Sequence, residues 1–176
     1  MIFWGLALKT VLVDASSAIL LHKADLLARM QAAFHFCVTA SVYGELTDYQ
    51  RPGARAFARR RRDRQITILT PIRASASHAL PANLHQGERD TLLCFMDGGV
   101  DFIVIDDGRG ASFCRRAGIP YVNALLCPRM LASADRLTPA GARAAMARIA
   151  ELGRYSDGVK HYAATCSDTA LSAFLP

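Results

Sequence analysis

The stretch "QGERDTLLCFMDGGVDFIVIDDGRG", residues 86–110, passes from a helical pattern into a strand and ends in two acids. Gln86 to Met96 carries apolar residues at helical spacing, and Gly98-Gly99 predicts where that helix stops. Four apolar residues, Phe102 to Ile105, then run straight into Asp106 and Asp107 before Gly108 and Gly110 break the run. A strand apolar at every position is one buried on both faces, as in a parallel sheet. Paired acids at the end of such a strand either turn to solvent or deliver charge to a site.

The same pattern recurs upstream. "VLVDASSAILLHKADLL", residues 11–27, opens with a short apolar run, halts at Asp14 and continues with helical spacing. Ser16 or Ser17 is the expected cap of that helix, and Ile19, Leu20, Leu26 and Leu27 its apolar stripe. "FHFCVT" and "ITILTP" read as further strands, as does the short "PYVN". Between them, "ASVYGELTDYQ" predicts a helix with Val42 and Leu46 inward, and "ARAFARRRRDR" a second one beyond Pro52-Gly53. Residues 73–85 read as a connecting stretch, and Arg109 to Ala117 as a helix. Ala124 to about Cys166 reads as helical in pieces, with Thr138-Pro139 opening one of them. Strands alternating with helices predict an α/β fold, a three-layer sandwich with a central parallel sheet. The whole chain, 1–176, reads as a single domain with a helical C-terminal extension from about residue 132. In such sheets ligands collect at the carboxyl ends of the strands, where Asp14 and the Asp106-Asp107 pair both fall.

Composition excludes several classes. With 52% apolar and 20% charged residues the chain is ordinary globular material. No apolar run reaches the ~18 residues that span a bilayer, so no membrane association is expected. The apolar start, "MIFWGLALKT", lacks a basic leader region and reads as part of the fold, which points to the cytoplasm. Five scattered cysteines without a C-x-x-C pair fit reduced core thiols, and the histidines show no zinc-ligand spacing. The excess of 21 Lys and Arg over 15 Asp and Glu, a net charge of +6, is compatible with a polyanionic partner.

The acids carry the sharper signal. Glu45 sits in "VYGEL" next to Leu46, and Glu88 and Asp90 share the first turn of the next-but-one helix. Each has a plainer explanation: Asp14 as a helix cap, Glu88 as a first-turn acid, Asp107 as a turn residue, Glu45 as an exposed helical residue. Gathered at one sheet edge, however, carboxylates repel one another unless a cation lies among them. Oxygen donors without Cys or His suit Mg²⁺ or Mn²⁺.

These blocks resemble the PIN-domain nucleases. "VLVDASSAILLHKADLL" is similar to that family's opening strand, "VTASVYGELT" to its second block, and residues 87–125 to its third and fourth, all in order from about Thr10 to Leu126. The resemblance implies a metal-dependent ribonuclease. It makes Asp14, Glu45, Asp90 and Asp106 or Asp107 the catalytic and metal-site residues, with Glu88 a second candidate in the third block. Glu88 and Asp90 face about 200° apart on a helix, and Asp90, directly before the apolar run, is the expected inward one. Thr39 and Ser16, beside two of the acids, are candidates to orient a ligand or water. The resemblance also implies RNA as substrate, a homodimer and, for many small bacterial members, the toxin role in a toxin–antitoxin pair with an antitoxin as partner. The tail beyond about Ala132 extends past the compact toxin pattern.

The basic run Arg59, Arg60, Arg61 and Arg62 reads either as a solvated helix or as a phosphate-contacting, nucleic-acid-binding patch. Two rival functions stand beside the nuclease. A phosphatase- or dehalogenase-like hydrolase needs a second acid two residues after its nucleophilic aspartate, where this chain has Ser16. A PIN-like module that binds nucleic acid without cleaving it is the other. A dinucleotide-binding fold fails for want of G-x-G-x-x-G after the first strand.

Overall fold

A computed structural model describes residues 8–51, 53–72 and 80–175. The reading of residues 1–7 as part of the fold lies outside the described residues, as does most of the connecting stretch at 73–79. Five strands form one sheet: β1 (Thr10–Val13), β2 (His35–Thr39), β3 (Thr67–Leu69), β4 (Phe102–Val104) and β5 (Tyr121–Val122). Their order is β3-β2-β1-β4-β5 and every pairing is parallel. All five therefore end at the same edge, with β1 in the centre.

Side chains alternate across this sheet, as the pleat demands. Val11, Val13, Phe36, Val38, Phe102 and Val104 face one layer. That layer holds α1 (Ala15–Lys23), α2 (Leu27–Ala33), α3 (Ala40–Thr47), α4 (Ala54–Arg62), α7 (Cys127–Ser133) and α8 (Pro139–Leu152). Leu12, Cys37, Ile103 and Ile105 face the other, which is covered by α5 (Gln86–Met96) and α6 (Gly108–Ala117). The result is the expected three-layer α/β sandwich. Both faces of β1, β2 and β4 are buried, which is why these strands are apolar at consecutive positions, while the edge strand β3 is partly exposed.

The C-terminal helices share this core. Ile149 of α8, Ala163 of α9 (Asp157–Thr165) and Leu171 of α10 (Asp168–Ser172) are buried in the same cluster as the strands. Phe174 packs edge-on against Phe102 of β4, with ring centroids 5.3 Å apart.

Local chemistry sets the element ends. Thr138 caps α8 ahead of Pro139, and Gly98 and Gly99, both at positive φ, end the turn after α5. Two expectations for the first helix are corrected. Asp14, not Ser16 or Ser17, is its N-cap, accepting from the Ser17 amide at 2.7 Å. Leu27 opens α2, with Leu26 as its N-cap, and neither continues the α1 stripe, because the chain turns at Asp25 with φ 57°. The buried face of α1 is Ser17, Ala18 and Leu21.

Candidate functional site

The carboxyl edge of the sheet is where the acids meet. β1 and β4 stay paired to the last residue, and the Asp14 amide donates to the Val104 carbonyl at 3.1 Å. Asp106 follows two residues later on the neighbouring strand. Ser17 joins the two acids: its amide donates to Asp14 Oδ1 at 2.7 Å, and its hydroxyl donates to Asp106 Oδ2 at 2.6 Å. Ser16 donates to the other Asp14 oxygen at 2.8 Å. Asp106 also accepts from the Ala124 amide at 3.1 Å and from the Tyr155 hydroxyl.

Asp14 is only 4% exposed. Burial, reinforced by the neighbouring Asp106 carboxylate, pushes its carboxyl up to about 7. Burial raises Asp106 as well, against the pull of its bonds from Ser17, Tyr155 and Ala124. Burial and the Asp106 charge hold the Tyr155 hydroxyl protonated far above its ordinary range, so it acts as a donor. Among the described residues the ion pairs are Arg109–Asp107, Arg129–Asp168 and Lys160–Asp157. Neither Asp14 nor Asp106 has a cationic partner there.

Two hollows open onto these groups. A small one of about 120 Å³ is lined by Asp14, Ser16, Glu45, His85 and Glu88. A wider cleft of about 440 Å³ is lined by Glu88, Asp106 and Asp107 together with Lys23, Arg154 and Tyr155. Ser16 and Glu88 line both, so the hollows adjoin. Glu45 reaches in from α3 across Gly87 of α5; a Cβ on Gly87 would stand 2.7 Å from Glu45 Oε1 and 3.2 Å from Val42. The missing side chain lets α3 and α5 close over the site. A larger hollow of about 650 Å³ lies among α7, α8 and α10, where Asp168 is engaged by Arg129 at 3.0 Å.

The other candidates fall as follows. In the third block it is Glu88 that lines both hollows, not the Asp90 expected to point inward. Asp90 accepts from Gln86 at 2.7 Å, one turn back on α5, because burying Thr91, Leu92 and Leu93 rotates it away. Glu88 accepts from the His85 amide at 3.1 Å, and burial together with the Asp107 charge raises its pKa. Asp107 caps α6, accepting from the Arg109 and Gly110 amides at 2.7 and 2.9 Å, while facing the wider cleft. Thr39 caps α3 through the Val42 amide at 3.2 Å and is bonded to Ser41, with no bond to an acid.

Arg59 to Arg62 lie in the last turn of α4, just before β3 begins. Arg60 is tied to Gln31 of α2 at 2.6 Å, and α2 likewise precedes the start of its strand. The basic run is therefore at the amino-terminal edge of the sheet, separated from the acids by a strand length of roughly 15 Å. Sequence reading passed over Ser17 as a bridge and Tyr155 altogether. A serine three residues after a strand-end acid is a usable signal for the first; nothing in "LGRYSD" marks the second.

A family model for a PIN domain, DUF3368, matches residues 10–152. The chain belongs to the PIN-domain family. No curated protein and no solved structure matches the chain, so the assignment rests on that model and the five-stranded parallel sheet that agrees with it. PIN domains are nuclease-type folds. In this chain Asp14 and Asp106 lie at the carboxyl edge of the sheet. The match ends at the last residue of α8, so Tyr155 reaches Asp106 from beyond the matched PIN segment. No helix among the described residues is long and apolar enough to cross a membrane.

The divalent ion that the PIN fold implies can be tested against this donor set. No three His, Cys, Asp or Glu among the described residues are gathered closely enough to hold an ion as they stand. The chemistry nonetheless fits one. Two adjoining carboxylates with raised pKa and no cationic partner form a site short of positive charge, and each Asp14 oxygen accepts only one hydrogen bond. Hard oxygen donors with space beside them suit an ion that keeps several of its waters.

Proposed function

We propose that this PIN domain is a metal-dependent ribonuclease that hydrolyses RNA phosphodiester bonds, with Mg²⁺ or Mn²⁺ as cofactor. The observation that carries the reading is the Ser17 bridge between two buried acids, Asp14 and Asp106, with no cation of the chain beside them.

In this reading Asp14 and Asp106 hold the ion, and Glu45, Glu88 and Asp107 supply the remaining charge around it. The ion would stabilise the phosphoryl transition state and lower the pKa of a water. Ser17 fixes the separation of Asp14 and Asp106, and Ser16 fixes the Asp14 carboxylate. Tyr155 holds the outer oxygen of Asp106. Glu45 and Glu88, which line the small hollow, would in this reading take a proton from a water there. The phosphatase-like alternative is disfavoured because the residue two after Asp14, where such an enzyme carries its second acid, is Ser16.

The setting follows the family. A toxin of a toxin–antitoxin pair, held by an antitoxin and paired with a second copy of itself, is the role the family offers it, against which stands the segment beyond about Ala132 that extends past the compact toxin pattern. Co-expression with the product of a neighbouring gene, followed by co-purification, tests that role.

The activity is tested by incubating the full chain with RNA in Mn²⁺ and in chelator, beside a generic phosphatase substrate. RNA cleavage that needs the ion and vanishes in Asp106→Asn supports the reading. RNA binding without cleavage returns the chain to a binding module, and turnover of the phosphatase substrate alone returns it to the rival hydrolase.

A further inference from the structure

The acids of this site present a problem to any polyanion. Asp14, Glu88, Asp106 and Asp107 all face the two adjoining hollows, and a phosphate backbone entering them meets like charge. The arginine run of α4, the obvious source of compensating charge in the sequence, sits at the opposite edge of the sheet. One of its members, Arg60, is tied down by Gln31 and Gln65 at 2.6 and 3.1 Å.

The cleft has cations of its own. Lys23, the last residue of α1, and Arg154, between α8 and α9, both line it together with Asp106 and Glu88. Both are exposed, and neither belongs to an ion pair among the described residues. Their positive charge is thus not spent on the protein. Arg154 is held near the acids by its neighbour: Tyr155 anchors this segment by donating to Asp106. Gly153 makes the anchor sterically possible, since a Cβ there would collide with the Tyr155 ring. Lys23 comes from the helix whose first residues hold Asp14 and Ser17, so both cations are placed by the elements that place the acids. The cleft, about 440 Å³, falls within the roughly 300–1,000 Å³ that ligand clefts occupy, ample for a nucleotide-sized group.

We propose that Lys23 and Arg154 are the phosphate contacts of this site, guiding the backbone of a single RNA strand into the cleft beside Asp106. The inference rests on the nuclease reading for its substrate but concerns binding alone. Arg154 and Tyr155 lie beyond residue 152, where the PIN match ends, so the contact is a feature of this chain's own C-terminal segment. Of the remaining lining, Ile19, Leu20 and Leu152 are aliphatic, the Ser16 hydroxyl is given to Asp14, and the one aromatic ring is committed through its hydroxyl. Binding should therefore follow phosphate charge with little preference among bases.

The test is fluorescence anisotropy of the full chain with a labelled, unstructured RNA oligonucleotide in chelator, over a series of salt concentrations. Each phosphate contact on a single strand contributes about 0.7 to the slope of log K against log salt. Lys23→Gln and Arg154→Gln should each lower the slope by about that much, and the double variant by about 1.4. The triple Arg59→Gln, Arg61→Gln, Arg62→Gln variant should leave it unchanged. All of these side chains are exposed, so the variants fold. A slope that falls in the α4 variant and not in the other two overturns the proposal, as does a parent that binds no RNA. A parent that binds RNA through Lys23 and Arg154 yet cleaves none in Mn²⁺ sinks the nuclease reading and leaves this one standing. A parent that cleaves RNA while both substitutions leave the slope unmoved does the reverse.

Discussion

Replacing Asp14 with asparagine separates the metal-site account from simple helix capping, and the structure gives its size. Asp14 is buried, and its carboxyl sits at about 7 against an ordinary value of 3.8. A rise of about three units corresponds to about 4 kcal/mol between the two protonation states. Because the folded value lies above the unfolded one, the protonated acid favours the fold. That contribution is complete below pH 3.8 and is lost as pH rises through about 7. Asparagine keeps the oxygen that caps α1 and never ionises. In chelator, parent and Asp14→Asn should therefore match near pH 4 and diverge above it. By pH 8 the variant should be more stable by up to about 4 kcal/mol, or roughly 8–16 °C in melting temperature for a chain of this size. Mn²⁺ at pH 8 should narrow or reverse the gap, since an ion at a hundredfold excess over its Kd adds about 2.7 kcal/mol to the form that binds it. Thermal melts at stepped pH, with and without Mn²⁺, read all of this. A variant less stable than the parent by about 1 kcal/mol at every pH, indifferent to Mn²⁺, would show that Asp14 is only a cap and refute the reasoning.

Three further outcomes follow from the same geometry. Tyr155→Phe removes a donor from the buried Asp106 and should cost about 1.5–3 kcal/mol in urea unfolding at pH 8 in chelator; a cost under about 0.5 kcal/mol would deny the bond. Gly87→Ala puts a methyl group 2.7 Å from Glu45 Oε1, a flexible end that yields easily, so RNA cleavage should fall while stability changes by less than about 1 kcal/mol. Arg60→Ala should cost about 1 kcal/mol by freeing Gln31, whereas the exposed Arg59→Ala should stay within about 0.5, and neither should change cleavage.

Much of this was legible in the chain. Apolar runs such as Phe102 to Ile105 announce strands covered on both faces, and parallel strands must end at one edge. Asp14 and the Asp106-Asp107 pair could therefore be placed at one edge before any coordinates, while the choice within the pair could not. The helix after β2 was equally plain, because Val42 and Leu46 fall one turn apart, whereas the stretch after β1 hid two helices behind one apolar pattern. What depends on the rotation or packing of whole elements was not legible. Glu88 and Asp90 lie two residues apart on α5, and the choice between them is made by the burial of Thr91 to Leu93 and the close approach at Gly87. Density of arginine in "ARRRR" says nothing of which end of the sheet it will occupy; that follows from α4 running back to the start of β3. Tyr155 is 49 residues from Asp106, and only the path of α8 across the core brings them together. Asp14 turned out to fill two roles at once, cap and candidate ligand, which local reading had treated as alternatives.

The central claim is that Asp14 and Asp106 form the heart of a divalent-ion site. Mn²⁺ binding by the full chain, counted by calorimetry or by loss of the free-ion electron paramagnetic resonance signal, tests it most directly. The account predicts saturable binding in the parent, loss of it in Asp14→Asn and Asp106→Asn, and undiminished binding in Asp90→Asn. Retention of the ion by Asp14→Asn and Asp106→Asn, with its loss in Asp90→Asn, would contradict it.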